Sequence, residues 1–280
     1  MMNSDFWRAF ARNKGAVLGL VILIAIVVLA AFASVLFPGD PWEMATAPFQ
    51  PPLSDDALLG SDMLGRDIAS GIAHGARVSL LIGLTSTAAA LAIGVTLGAL
   101  AGFHGGKVDD AIMRFTELFQ TIPNFVLAVV LVAIFTPSLT TIVLAIAIVS
   151  WPPLARLARA EFLSLRTREF VQAAITTGQS NSTIILRQIL PNSLSPIIVS
   201  ASLMVATAIL LESSLSFLGL GDPNAMSWGY MIGAARTVIR QAWWMSVFPG
   251  LAIVLTVLAL NLVGEGLNDA LNPKLARSRG

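Results

Sequence analysis

The chain has 280 residues, of which 56% are hydrophobic and only 12% charged, and its mean hydropathy is +0.80. Soluble domains carry about 25% charged residues, so this composition predicts a protein that uses the lipid bilayer as its solvent. The net charge of +1 gives no indication of a nucleic-acid or acidic partner. The chain has no cysteine, which excludes a disulfide framework, a thiolate nucleophile and a cysteine-ligated metal.

Six nearly uncharged apolar runs approach the roughly 20 residues that a helix needs to cross a hydrocarbon core about 30 Å thick. They cover residues 16–37, 78–103, 118–135, 139–154, 194–218 and 247–262. Only three residues, including Pro137, separate the third run from the fourth, which predicts a tight helical hairpin. The predicted fold class is therefore an all-α membrane protein with six transmembrane helices.

The first run also has features of a secretory signal peptide, because basic residues precede it and Ala31-Phe32-Ala33 is similar to a small-residue cleavage site. A signal core, however, has only about 7 to 15 apolar residues, and here five more apolar runs follow. An uncleaved anchor helix fits the sequence better.

Lysine and arginine are distributed unevenly between the two sides of the predicted membrane. If the N-terminus is cytoplasmic, thirteen of the seventeen basic residues lie on the cytoplasmic side, as the positive-inside rule requires. The outer side then keeps only Arg66, Arg77, Arg236 and Arg240. We therefore expect both termini to be cytoplasmic.

Residues 156–192 form a cytoplasmic segment that is much longer than the usual connection between packed helices. The pattern predicts a short helix through Ala173 and Ala174, a bend at Gly178, and a second short helix that Pro191 ends. Small alanines followed by a glycine bend allow another protein to approach the backbone closely. The segment is therefore a candidate docking element, with an ordinary interhelical loop as the alternative.

This segment resembles the cytoplasmic signature of binding-protein-dependent ABC importer permeases: Glu-Ala-Ala, three residues, Gly, nine residues, and an apolar stretch ending in Leu-Pro. Ala173, Ala174, Gly178, Leu190 and Pro191 match at the required spacing. Gln172 replaces the glutamate, which weakens any charge contact at that position, and Gln188 stands where isoleucine is frequent. The resemblance implies that ATPase coupling is performed by Glu169, Gln172, Ala173, Ala174, Gly178, Ile189, Leu190 and Pro191.

Further segments are similar to the permeases of peptide, opine and nickel importers, and together they cover nearly the whole chain. They are residues 6–14, 59–67, 75–80, 212–221 and 264–273. The resemblance implies one N-terminal anchor helix followed by a five-helix core of the type I ABC importer kind. It divides the chain into an interfacial segment and anchor (1–37), an outer loop (38–77), the core with its coupling segment (78–270) and a cytoplasmic tail (271–280).

The family resemblance also implies partners in a bacterial inner membrane: a second, different permease, two cytoplasmic ABC ATPases and an extracytoplasmic binding protein. No cofactor is expected on this chain. Its nearest approach to a phosphate loop, at Gly105-Gly106-Lys107, has Ala101 where glycine is required and Val108 where serine or threonine should bind magnesium. ATP and magnesium are therefore expected in the partner ATPases, and this chain is expected to be non-catalytic.

Two further groups of residues are candidate sites. Asp62, Gly65, Arg66 and Asp67, before the second span, either contact the binding protein or form an outer gate, unless Arg66 and Asp67 simply pair with each other. Glu212 is the one charged residue within the six runs. An ionisable group inside a span is a functional candidate by default, and the alternative is a structural carboxylate hydrogen-bonded to Ser213, Ser214 or a neighbouring helix.

Gly94, Gly98 and Gly102 lie on one face of the second span, where close helix packing is favoured over a moving seam.

Gly219-Leu220-Gly221-Asp222 matches part of an intramembrane aspartyl protease pattern, but no second aspartate lies in a neighbouring span. An ion-coupled secondary transporter is the remaining alternative, although such proteins usually place polar groups or broken helices near the midplane. Short peptides are the expected substrates, with opines and nickel chelates left open.

Overall fold

The computed structural model of the protein describes residues 4–271, with only the backbone for residues 4 and 5, so most of the predicted 271–280 tail lies outside the described residues. Within the described range the chain is helical, apart from its loops and two isolated β-bridges in the outer loop. The first six helices are α1 (Ser4–Arg12), α2 (Lys14–Leu36), α3 (Ile68–His104), α4 (Gly106–Gln120), α5 (Asn124–Ile134) and α6 (Leu139–Arg166). The others are α7 (Glu169–Thr176), α8 (Asn181–Thr183), a π-helical segment (Ile184–Ile189), α9 (Leu190–Phe217), α10 (Trp228–Ala235) and α11 (Trp244–Leu271).

Five helical stretches are long and apolar enough to cross a membrane, and the α4–α5 pair makes a sixth if it is counted as one span. The prediction that residues 118–135 form one continuous helix is wrong, because α4 and α5 are bent by 80° at the break between them. Pro123 explains the break, since it has no N–H and disfavours a helical conformation at the residue before it. At 1.5 Å per residue, α5 is only about 16 Å long, roughly half the thickness of the hydrocarbon core.

The second span begins ten residues earlier than predicted, because the side chain of Asp67 caps α3. Its two carboxylate oxygens accept hydrogen bonds from the Ala69 and Ser70 N–H groups, at 3.1 and 3.0 Å. Such a cap stabilises a helix by about 1 kcal/mol. With 37 residues, α3 is about 55 Å long and extends well beyond the bilayer core.

Arg77, which the sequence suggested as an outer-loop residue, lies within α3 and binds the C-terminal part of α2. Its guanidinium donates to the Ala30 and Ala31 carbonyls and to the Ser34 hydroxyl. Cations near a helix C-terminus are stabilised by the helix dipole, so Arg77 fixes the anchor helix to the core.

Close packing of α3 against α6 is provided by the three glycines of the second span, as predicted. A Cβ atom on Gly94 would lie 2.7 Å from the Leu154 Cβ, and one on Gly102 would lie 2.7 Å from the Phe162 Cβ. Real Cβ atoms do not come this close, so the helix separation depends on the missing side chains. Gly19 of α2 packs against Leu262 of α11 in the same way.

The outer loop lies against the helices rather than forming a core of its own. Its Trp42 and Phe49 pack on a buried cluster that includes Trp228 and Met245. The Trp244 indole N–H donates to the Ser61 carbonyl at 3.0 Å, which joins the loop to the start of α11. These contacts place the loop over α10 and α11.

Candidate functional site

The docking element predicted between residues 156 and 192 is built on α7, which has one packed face and one open face. Val171 and Ala174 are buried against Phe162, Ile184 and Ile189. On the opposite side, exposed residues form what we call the open face of α7: Phe170, Gln172, Ala173 and Ile175. Phe170 and Ile175 are 40% and 46% exposed, so this face presents apolar surface without a partner among the described residues.

The predicted bend at Gly178 is confirmed, and its geometry requires glycine or a similarly permissive residue. Gly178 has φ +74°, and its N–H donates to the Ile175 carbonyl at 3.0 Å. The next N–H, of Gln179, reaches back to the Ala174 carbonyl at 3.1 Å. This pair of bonds is the Schellman arrangement that satisfies the last carbonyls of a helix.

The prediction that Pro191 ends a second short helix is wrong. After a cap in which Ser180 accepts from the Thr183 N–H at 3.3 Å, the chain stays helical through the π-helical segment and directly into α9. Pro191 is the second residue of α9 and directly follows the π-helical segment, in which the Leu190 N–H donates to the Ile185 carbonyl. The wide π-helical turn before it relieves the clash that proline causes inside an α-helix.

Gln172, the departure from the expected glutamate, has a structural role that the sequence did not suggest. Its side-chain Nε2 donates to the Arg166 carbonyl at 3.0 Å, which caps the C-terminus of α6. A glutamate in its charged form could not donate this hydrogen bond. Residue 172 therefore ties α7 to α6.

An ion pair that the sequence analysis missed joins α4 to α6 near the coupling segment. Arg159 donates to both carboxylate oxygens of Asp109, from Nε at 2.5 Å and from Nη2 at 2.6 Å. Asp109 is buried, and the Arg159 side chain is 35% exposed. A two-pronged pair of this kind is among the stronger polar contacts in proteins.

Replacing Asp109 by Ala is expected to lower the stability of the assembled protein by about 1–3 kcal/mol, because Arg159 would lose a charged partner. A double-mutant cycle with Arg159→Ala, measured as thermal unfolding in lipid nanodiscs, should show that the two losses are not additive. The control is Asp110→Ala, since Asp110 is the exposed neighbour on the same helix. Fully additive losses would contradict an energetic link between the two side chains.

The four outer candidate residues shape the loop and its junction with α3. Asp62 accepts from the N–H groups of Leu64 and Arg66, at 2.8 and 2.9 Å, and Gly65 holds the turn with φ +79°. Arg66 and Asp67 do not pair with each other. The Arg66 guanidinium instead lies over the Trp42 ring, with Cζ 4.7 Å from the centroid, while Asp67 caps α3.

Glu212 is 1% exposed, so the structure places it inside the helix bundle and not on an open cavity. Its carboxylate accepts from the Ser216 and Ser227 hydroxyls at 2.8 and 2.7 Å, with Ser213 more distant at 3.4 Å. Ser214, one of the expected partners, instead donates to the Leu210 carbonyl. Since Ser227 also caps α10, Glu212 holds α10 against α9.

Asp222, the aspartate of the protease-like pattern, has a structural role. The Asp222 carboxylate accepts from the Leu139 N–H at 2.9 Å and from the Asn224 N–H at 2.9 Å, so it caps α6 and a turn. Between residues 4 and 271, no group of three histidine, aspartate or glutamate side chains is arranged to hold a metal ion.

The structure thus combines helices long enough to span a membrane with a short helical element, built on α7, between α6 and α9. The chain belongs to the family described as the inner membrane component of binding-protein-dependent transport systems, which matches residues 94–277. Residues 2–52 match the N-terminal transmembrane domain of oligopeptide transport permease C. It is thus a permease subunit of an ABC importer.

Two curated relatives are similar in sequence to this chain over nearly its full length. The chain is 44% identical over 278 residues to the di/tripeptide transport system permease protein DppC of Pseudomonas aeruginosa, which covers 97% of this chain and 92% of that protein. It is 40% identical over 275 residues to the glutathione transport system permease protein GsiD of Pectobacterium atrosepticum, covering 97% and 91%.

A solved structure of the MetNI methionine ABC transporter has a similar fold, with a TM-score of 0.61 and 16% identity. The similarity covers 72% of this chain and 96% of that one.

Proposed function

We propose that this permease subunit forms half of the path by which short peptides enter the cell, with a second, different permease forming the other half. The names of the relatives support the substrate class, since a di/tripeptide permease and a glutathione permease are both similar over nearly the whole chain. An extracytoplasmic binding protein would deliver the peptide. Two cytoplasmic ATPases would supply ATP hydrolysis and hold the nucleotide and magnesium.

The open face of α7 is the main support for the coupling role, because α7 lies between two helices that continue into the membrane. Only Thr167 and Arg168 separate α6 from α7, and the π-helical segment runs into α9 without a break. An ATPase that presses on α7 would therefore tilt α6 and α9 together. This motion would open the path alternately to the two sides of the membrane.

The outer residues Asp62, Gly65, Arg66 and Asp67 would give the outer loop a fixed surface for the binding protein. Their hydrogen bonds hold the turn at residues 62–66 against α3. In this orientation both termini are cytoplasmic, in agreement with the distribution of basic residues.

The proposal is tested by ATP-driven uptake. The complex would be purified from its native membrane through a tag on this chain, its co-purifying subunits identified by mass spectrometry, and the assembly reconstituted in proteoliposomes. We expect uptake of the dipeptide Ala-Ala to require ATP and binding protein, to fail with a non-hydrolysable ATP analogue, and to persist when ionophores collapse all ion gradients. Uptake driven by an ion gradient without ATP would instead support a secondary transporter.

A further inference from the structure

The depth of the break between α4 and α5 follows from its position beside α6, if the hydrocarbon core begins at the first residue of α6. The Phe119 ring, just before the break, packs edge-on against Trp151 of α6, with the ring centroids 5.3 Å apart. Trp151 is twelve residues from the outer start of α6, or about 18 Å along the helix. In a hydrocarbon core about 30 Å thick, this depth is close to the midplane.

The break exposes polar groups at that depth. Residues 121–125 are all exposed, and they include the side chains of Thr121 and Asn124. No side chain caps the start of α5, and the first N–H groups of a helix have no partner within the helix. Irregular backbone at membrane depth does not face lipid, and occurs only where protein or a water-filled cavity covers it.

An open groove of about 350 Å³ adjoins the break. Phe125 at the start of α5 forms one wall, and Leu210 and Phe217 of α9 form another, with Ser213 and Ser214 between them. This volume lies in the range of small-solute sites, which are mostly apolar with a few polar groups. The groove itself is mainly apolar and suits the side chains of a solute, while the polar groups for a solute's backbone lie at the break beside it.

Resting on the proposed function, we propose that the break at residues 121–124 and this groove line the water-filled path and contact the peptide during passage. The exposed amide groups and Asn124 provide hydrogen bonds to the peptide backbone. The apolar wall on α9 accepts its side chains. A dry contact with the second permease is the competing arrangement. In that arrangement, cysteines introduced at these positions would react slowly with a water-soluble thiol reagent.

The absence of cysteine from the chain makes a direct test available, because any thiol in it is an introduced one. Thr121→Cys, Asn124→Cys and Ser214→Cys would each be assembled into the complete complex in nanodiscs and treated with a charged, water-soluble methanethiosulfonate. The reagent needs a thiolate, so it modifies cysteines in water and not those in lipid or dry protein. Modification of this chain is read by mass spectrometry, with Ile24→Cys, on the exposed apolar surface of α2, as the lipid-facing control.

We expect the three path positions to react at least roughly tenfold faster than Ile24→Cys in one or more nucleotide states, because only they meet water. Binding protein loaded with Ala-Ala should slow the reaction during turnover. Reaction as slow as that of Ile24→Cys in every state would overturn the inference, as would rapid reaction that the peptide never slows. Unlabelled wild-type complex serves for the uptake assay, so a failure of ATP-driven uptake itself is seen separately from a failure of this assignment.

Discussion

Gly178→Asp is expected to reduce ATP-driven uptake about a hundredfold, whereas Gly178→Asn is expected to keep most of it. Asparagine and aspartate have nearly the same shape and both tolerate a positive φ such as the +74° found here. A Cβ atom at this position meets no other atom within 4 Å, so neither side chain disturbs the fold. The aspartate alone would bring an unpaired charge into the ATPase interface, at a cost of about 3–5 kcal/mol.

The measurements are peptide uptake, transport-stimulated ATP hydrolysis and co-purification of the ATPases with each variant. Gly106→Asp is a matched control, because Gly106 also has positive φ (+52°), a Cβ atom there also meets nothing within 4 Å, and the residue lies outside the coupling segment. We expect this control to transport normally. Equal losses of uptake in Gly178→Asn and Gly178→Asp would mean that backbone strain, and not charge, causes the effect. Normal uptake in Gly178→Asp would contradict docking at this bend.

Hydropathy predicted where the chain enters the membrane, but not how the helices continue outside it or break within it. A run of apolar residues has the same hydropathy whether its backbone is straight or broken, so hydropathy alone predicted one helix over residues 118–135. Pro123 was the signal for the break. The early start of α3 depended on Asp67, whose capping role is visible in the sequence only as an acidic residue before a helical pattern.

In the coupling segment, the sequence predicted the conformation correctly where one residue decides it. The prediction was wrong where the conformation depends on the hydrogen-bond pattern of the preceding turn. Gly178 is a helix C-terminal signal by itself, and the structure has the predicted bend at this residue. Pro191 is also a stop signal by itself, but the π-helical segment before it lets the helix continue into α9.

Contacts between residues that are distant in sequence were the least predictable part of the candidate sites. Asp109 and Arg159 are separated by 50 residues and meet because the fold packs α4 against α6. Ser213 and Ser214 were the expected partners of Glu212, but the structure pairs it more closely with Ser216, which lies four residues further along the same helix face. Its bond to Ser227 depends on the fold of the α9–α10 connection.

Gly98→Leu is expected to prevent stable folding of the chain or to lower its unfolding temperature by about 10 °C or more. A Cβ atom on Gly98 would overlap the Ala155 carbonyl and lie 2.7 Å from the Ala158 Cβ, and leucine adds three more carbons beyond it. Overpacking of this kind costs about 1–3 kcal/mol or more when only side chains must move, and here the obstacle is backbone. At about 2–4 °C per kcal/mol for a chain of this size, several kcal/mol correspond to the stated shift.

The control is Gly250→Leu, because Gly250 also lies within a membrane helix but a Cβ atom there meets nothing within 4 Å. Both variants make the same chemical change and both raise helix propensity, so they differ in the neighbouring backbone alone. Thermal unfolding in nanodiscs should leave Gly250→Leu close to the wild type and place Gly98→Ala between the wild type and Gly98→Leu. Similar unfolding temperatures for Gly98→Leu and Gly250→Leu would mean that α3 and α6 can separate without loss, and that the glycine contact does not determine their packing.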